Sequence, residues 1–186
     1  KDTLIFSDEF NHASIIDGCK LSAARVNVFQ HRDYARLESL LADAPRDTRK
    51  LVISDTVFSM HGDLCDVRAL TDIARRHDAL LLLDDAHGFG CLGERGRSVF
   101  DTQRISETEA GIVVGTLSKA LGSLGGYVCC PANVREHLLN TARSFIFSTA
   151  QTCGDVAAAI AALDVLASEG PTLRAKIAAN STRLRE

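Results

Sequence analysis

At 186 residues the chain is about one domain long and can bury a sizeable core. Apolar residues make up 46% and charged residues 24%, as in ordinary soluble globular proteins. A formal charge of −3 without any basic cluster argues against a nucleic-acid partner. Uninterrupted apolar runs such as Ala79–Leu83 are far too short to span a bilayer, so no membrane partner is expected.

Short apolar runs predict strands at Thr3–Phe6, Val26–Phe29, Leu51–Ser54, Leu80–Leu83, Ile112–Gly115 and Gly126–Cys129, with a seventh at Phe145–Phe147. Helical spacing occupies Ala13–Ala23, Tyr34–Ala42, Val67–His77 and Ala132–Arg143. After Thr149 the pattern is wholly helical: one helix over 154–169, a break at Gly170-Pro171, and a second helix to the end. The alternation predicts an α/β fold with a mostly parallel sheet, its strands buried on both faces. Residues 1–150 are expected to form the core of one domain, with helices over 151–186 leading toward another. The chain opens with Lys1-Asp2 directly before an apolar segment and closes inside a helical pattern. An internal piece of a longer protein is the expectation. The six cysteines show no C-x-x-C spacing, which favours buried thiols in a reducing compartment over disulfides.

Polar residues gather where the predicted strands end: Ser7–His12, Ser54–Asp63, Asp84–His87, Thr116–Lys119, and Ser148 with Thr149. Ligands of open α/β sheets sit beyond those carboxyl ends. Asp84 follows four leucines, so its carboxylate needs a cationic or donor partner. A lysine on a small-residue loop (Lys119), a carboxylate (Asp84) and an imidazole (His87) together meet the needs of pyridoxal phosphate (PLP). The lysine forms a Schiff base, the carboxylate keeps the ring nitrogen protonated and the histidine bonds the ring hydroxyl. Thr116, just before the lysine, is placed to bond a phosphate, and the ring of His12 could cover one face of the cofactor. Plainer readings stand beside these: Asp84 as a helix cap or ion-pair partner, Asp84, Asp85 and His87 as metal ligands, Lys119 as a surface lysine, His12 as a structural histidine. A phosphate-loop reading fails because Ser118 precedes Lys119, so the Gly-Lys-Ser/Thr ending is missing.

Taken in order, Ser7-Asp8-Glu9-Phe10-Asn11-His12-Ala13-Ser14-Ile15-Ile16-Asp17-Gly18, Phe58-Ser59-Met60-x-Gly62-Asp63, Asp84-Asp85-Ala86-His87-Gly88, Thr116-Leu117-Ser118-Lys119-Ala120 and Phe145-Ile146-Phe147-Ser148-Thr149 resemble the α-oxoamine synthases, which are PLP enzymes of fold type I. The resemblance implies a PLP-dependent acyltransferase that condenses L-alanine with an acyl thioester of the pimeloyl-CoA type, with decarboxylation, as in biotin synthesis. A glycine acetyltransferase, a serine palmitoyltransferase relative and a non-catalytic partner subunit are its alternatives. By motif, Lys119 would hold the cofactor and move the α-proton, and Asp84 would pair with the ring nitrogen. His87 and Ser59 would hold the ring oxygen, His12 would stack on the ring, and Thr116 would bind the phosphate. Ser148 and Thr149 would reach the phosphate of the neighbouring subunit in a homodimer with shared sites. A cytoplasmic location is expected, with an organelle as the alternative. His61 departs from the family, which has Asp at that place.

Overall fold

Six strands form one sheet in the computed structural model, which describes residues 3–186; Lys1 and Asp2 lie outside the described residues. The strands are β1 (Thr3–Asp8), β2 (Arg25–Phe29), β3 (Arg49–Asp55), β4 (Ala79–Asp84), β5 (Ile112–Thr116) and β6 (Gly126–Cys129). Their spatial order is β2-β1-β3-β4-β5-β6, all parallel except β6, which runs antiparallel at the edge. Helices α1 (Ala13–Leu21), α2 (Tyr34–Ala42), α3 (Val67–Arg76), α4 (Val99–Gln103) and α5 (Glu107–Ala110) lie between the parallel strands. The chain ends with α6 (Ala132–Thr141), α7 (Arg143–Ile146) and α8 (Cys153–Arg185). Parallel neighbours need such crossovers, because a short turn cannot return the chain to the same end of the sheet.

Side chains alternate between the two faces of a strand. Phe6, Val52, Leu81, Leu83 and Val113 join residues of α2 to α5 in the main core, whereas Ile5, Ile53 and Leu82 pack with Cys19 of α1 in a smaller cluster. Beyond α1, that second face is open at Val28, Leu80 and Val128, all exposed. Burial on both faces, expected from the continuous apolar runs, therefore holds fully on one face of the described residues. Side-chain caps define the helix starts: Asp33 accepts from the Arg36 amide, Asp66 from the Ala69 amide, and Ser106 forms a capping box with Glu109.

Two expectations fail at the carboxyl-terminal end. Phe145–Phe147 is not a strand. Amides of Phe145 and Ile146 donate to the Ala142 carbonyl, and that of Phe147 to Arg143, which closes the helical turn α7 and leaves Phe145 and Phe147 exposed. Gly170-Pro171 does not break the last helix, and α8 runs through it for 33 residues. Proline inside a helix costs about 3 kcal/mol through its missing N–H and a steric clash. The Ala-rich turns before Pro171 and an anchor after it outlast that penalty: Arg174 donates to the Glu94 carbonyl at 2.7 Å. A Cβ on Gly170 would stand 2.6 Å from the Arg174 guanidinium, so the glycine clears space for the anchor instead of ending the helix. By length and composition alone α8 is also apolar enough to cross a membrane, which short uninterrupted runs do not reveal. Its contacts are with this domain, through Arg174 and through Ser123, which donates to the Asp155 carbonyl at 2.6 Å.

His31 ties the strand ends together. Its Nδ1 lies 2.9 Å from Asp8 at the end of β1, and its Nε2 lies 2.6 Å from Asp63 in the turn after β3. Burial alone would lower its pKa, but the bonds to Asp63 and Asp8 and their charges outweigh burial and raise it. A raised histidine stabilises the fold fully below its unfolded value and loses that contribution as pH climbs through the folded value. Urea unfolding of His31→Gln should therefore show a loss of about 1–3 kcal/mol near pH ~6, shrinking in alkaline buffer. A loss that is equal at both pH values would contradict the double ion pair.

Candidate active site

Strand register sets the site. Asp55 at the end of β3 pairs with Asp84 at the end of β4, which pairs in turn with Val114 of β5. These three residues fall on one face, at the carboxyl ends of the parallel strands where open α/β sheets take ligands. Above them lies a cavity of about 330 Å³ whose polar lining includes His12, Asp55, Asp84, His87, Thr116 and Lys119.

Each group is held by local structure. His12 is the N-cap of α1, and its Nδ1 accepts from the Ser14 amide at 3.2 Å, which places the ring at the cavity rim. Asp84 closes β4, and one of its oxygens accepts from the Ala86 amide at 2.9 Å, orienting the carboxylate as the chain turns toward His87. Thr116 donates to the Gly125 carbonyl at 3.1 Å and accepts from the Ser118 amide at 3.2 Å, bracing the loop that carries the lysine. Lys119 donates from Nζ to Nε2 of His87 at 2.7 Å. Beside them Gly115 has no room for a Cβ, because the ring of Tyr127 fills that space.

Electrostatics sort these groups into distinct roles. Burial, and then the Lys119 charge, push the His87 pKa down, so the imidazole is neutral and can accept the lysine proton donor. Burial and the adjacent Asp84 charge push Asp55 up to about 7. One lysine thus faces a carboxylate, an acid that holds its proton near neutrality, and a neutral imidazole. Asp85, next in the chain, belongs to the opposite face: it is 3% exposed, and its carboxyl accepts from Thr56 and from Ser98, the latter at 2.5 Å. Burial lifts its pKa to about 6 against the pull of those two donors. Because Asp84 and Asp85 point apart, the metal reading of Asp84, Asp85 and His87 has no geometry, and among the described residues no group of three such side chains could hold a metal.

Of the residues singled out from sequence, the fold brings together His12, Asp84, His87, Thr116 and Lys119. Ser59 is exposed in the Phe58–Asp63 turn and does not line the cavity, and Ser148 and Thr149 are exposed on the segment after α7. Asp55 was not singled out. Its signal was a carboxylate ending an apolar strand, the same pattern that marked Asp84.

A family model, aminotransferase class I and II, matches residues 1–186. The chain belongs to this family. Among class I and II aminotransferase relatives, an 8-amino-7-oxononanoate synthase of Chromohalobacter salexigens is 47% identical over 98% of the chain and 47% of its own length. The solved serine palmitoyltransferase of Sphingomonas wittichii superposes with a TM-score of 0.92 at 34% identity, covering 99% of this chain and 46% of that one. A serine palmitoyltransferase from S. paucimobilis, solved with a bound PLP–myriocin aldimine, superposes at 0.85 with 32% identity, covering 91% and 44%. The fold-type I architecture and the resemblance read from the motifs are borne out. The chain spans about half the length of the curated relatives it matches.

The Lys119–His87 contact carries its own test. With the ammonium removed in Lys119→Ala, the His87 pKa should rise toward the ordinary histidine value, as followed by NMR titration of the ring protons. An unchanged titration would separate the two side chains.

Proposed function

We propose that the protein carrying this chain is a PLP-dependent C-acyltransferase. It transfers the acyl group of a thioester of the pimeloyl-CoA type to the α-carbon of L-alanine. The C–S bond breaks with release of the free thiol and of carbon dioxide, to give an amino ketone. The observation that carries this reading is the Lys119 amine set 2.7 Å from a neutral His87 in a cavity floored by Asp84. Supporting it are relatives named 8-amino-7-oxononanoate synthase and a related fold solved with PLP bound.

The donor set fits the cofactor. Lys119 brings a primary amine for a covalent link, Asp84 offers a carboxylate at the cavity floor, and Thr116 offers a hydroxyl beside Gly115 and Gly126. When bound, PLP supplies an electron sink for the carbanion formed at the amino acid's α-carbon. The residues of this chain do the rest. Lys119 would take the α-proton of the bound amino acid and later return it. His87, neutral and already bonded to the Lys119 Nζ, orients that amine and can hold the ring oxygen. Asp84 would stabilise positive charge at the ring nitrogen, and His12, at the cavity rim, would cover one face of the site. Ser148 and Thr149, exposed and outside the cavity lining, are assigned to the phosphate of a second subunit in a homodimer with shared sites.

The serine palmitoyltransferase likeness favours a second reading, in which serine and a long acyl thioester replace alanine and the pimeloyl donor. The 47% identity to a synthase-named relative supports the alanine reading ahead of it. Both readings share one test. The full-length protein mixed with PLP should gain a visible absorption band, and borohydride reduction followed by peptide mapping should place the label on Lys119. Label at another lysine, or none in folded protein, would end the proposal. Turnover with L-alanine, glycine and serine against acyl-CoA donors then separates the two readings. Asp84→Ala should lower turnover at least ~100-fold, as expected for loss of a preorganised charge.

A further inference from the structure

Asp55 is a buried polar group in the cavity that this mechanism leaves unused. It is 3% exposed, it lines the cavity, and its Oδ1 is buried without any hydrogen-bond partner. A buried polar atom without a partner costs roughly 1–3 kcal/mol, so native proteins rarely keep one without a use. Its place is rigid: the Asp55 amide donates to Asn11 Oδ1 at 2.9 Å, and the Asn11 side-chain nitrogen donates to Ser7 and to the Ile53 carbonyl, each at 2.9 Å. Asn11 thus fixes the end of β3 against β1, and the register sets Asp55 directly across from Asp84.

Two carboxyls on adjacent strands in one cavity cannot both carry charge cheaply. Groups face Asp55 from every side. Asp84 of β4 and Asp8 of β1 favour its protonated form, whereas Lys119 beyond β5 and the His12 amide at the start of α1 oppose it. Asp8 is itself engaged by His31 and by the amides of Phe10 and Arg32. Ser59, which the motif resemblance assigned to the ring oxygen, stands outside the cavity, so a donor place beside Asp84 is vacant in that assignment.

Resting on the cofactor reading above, we propose that Asp55 is a further cofactor-binding residue that works as a neutral acid. In that role its Oδ1 donates a hydrogen bond to the hydroxyl oxygen of the pyridoxal ring. Asp84 is then the acceptor and Asp55 the donor of one pair, set apart by their surroundings.

The test uses full-length protein, wild type, Asp55→Asn and Asp55→Ala, with PLP affinity measured from the absorption band across neutral pH. Asn keeps a donor and cannot ionise, so it should bind within a few-fold of wild type and stay flat as pH rises. Wild-type affinity should weaken relative to Asn as pH passes about 7. Ala should bind about tenfold or more weakly at neutral pH. In the ligand-free protein, Asp55→Asn should gain melting temperature over wild type as pH rises from about 4 to about 7. The sign follows from linkage: an acid whose folded pKa is raised costs stability once the unfolded chain ionises, and the amide escapes that cost. Equal affinity for Ala and wild type, or Asn as weak as Ala, would overturn the proposal; so would a melting difference that does not change with pH. Failure of wild-type protein to form the band at all would instead strike the cofactor reading, so the two failures are distinguishable.

Discussion

The buried carboxyl of Asp85 is the fixed point around which the site is assembled. It accepts hydrogen bonds from Thr56 at the end of β3 and from Ser98 before α4, while the Asp85 amide donates to the Val114 carbonyl of β5 at 2.8 Å. Three separate segments are thus gripped by one residue at the point where β4 ends. Since neighbouring side chains in an extended backbone point to opposite faces, locking Asp85 into the core forces Asp84 toward the cavity. Two adjacent residues of the same type therefore do different work, one structural and one chemical, and the strand's geometry decides which is which.

The same geometry explains the charge arrangement above the sheet. A lysine surrounded only by carboxylates would be held as a tight ion pair and would exchange protons poorly. Here its direct neighbour is a histidine kept neutral by burial and by the lysine itself. One negative charge at Asp84 remains for a cationic ring. The cavity opens on the sheet face that α1 covers only in part, where Val28, Leu80 and Val128 are exposed. That open apolar face and the long α8 both accord with relatives about twice as long as this chain.

Most strands were readable from the sequence because parallel strands leave continuous apolar runs, and the readings erred mainly at their ends. Ser7, Asp8, Asp55, Asp84 and Thr116 all belong to strands yet read as loop, since polarity and strand termination coincide at a ligand-bearing edge. Phe145–Phe147 looked extended because aromatic and β-branched residues favour strands, although the sheet already ends at β6. Gly170-Pro171 looked like a stop because its reason, the clearance for Arg174, is a tertiary contact. Of the site, Lys119, Asp84 and His87 were legible as unusual residue types in apolar surroundings. Asp55 was not, because its partnership with Asp84 exists only through the register of two strands far apart in sequence.

Tyr127 gives the molecule a property of a different kind. These 186 residues contain no tryptophan and two tyrosines, Tyr34 and Tyr127. Tyr127 lies against Gly115, itself part of the cavity lining, and its hydroxyl stays protonated because burial lifts its pKa to about 12. Tyr34 opens α2, packs against the main core, and its hydroxyl accepts from the Asp66 amide at 2.8 Å. The chain therefore carries one intrinsic fluorophore behind the sheet at Gly115, on the face opposite the cavity, and another at α2. Ultraviolet emission from the unmodified chain thus reports the packing of its core at two separate places.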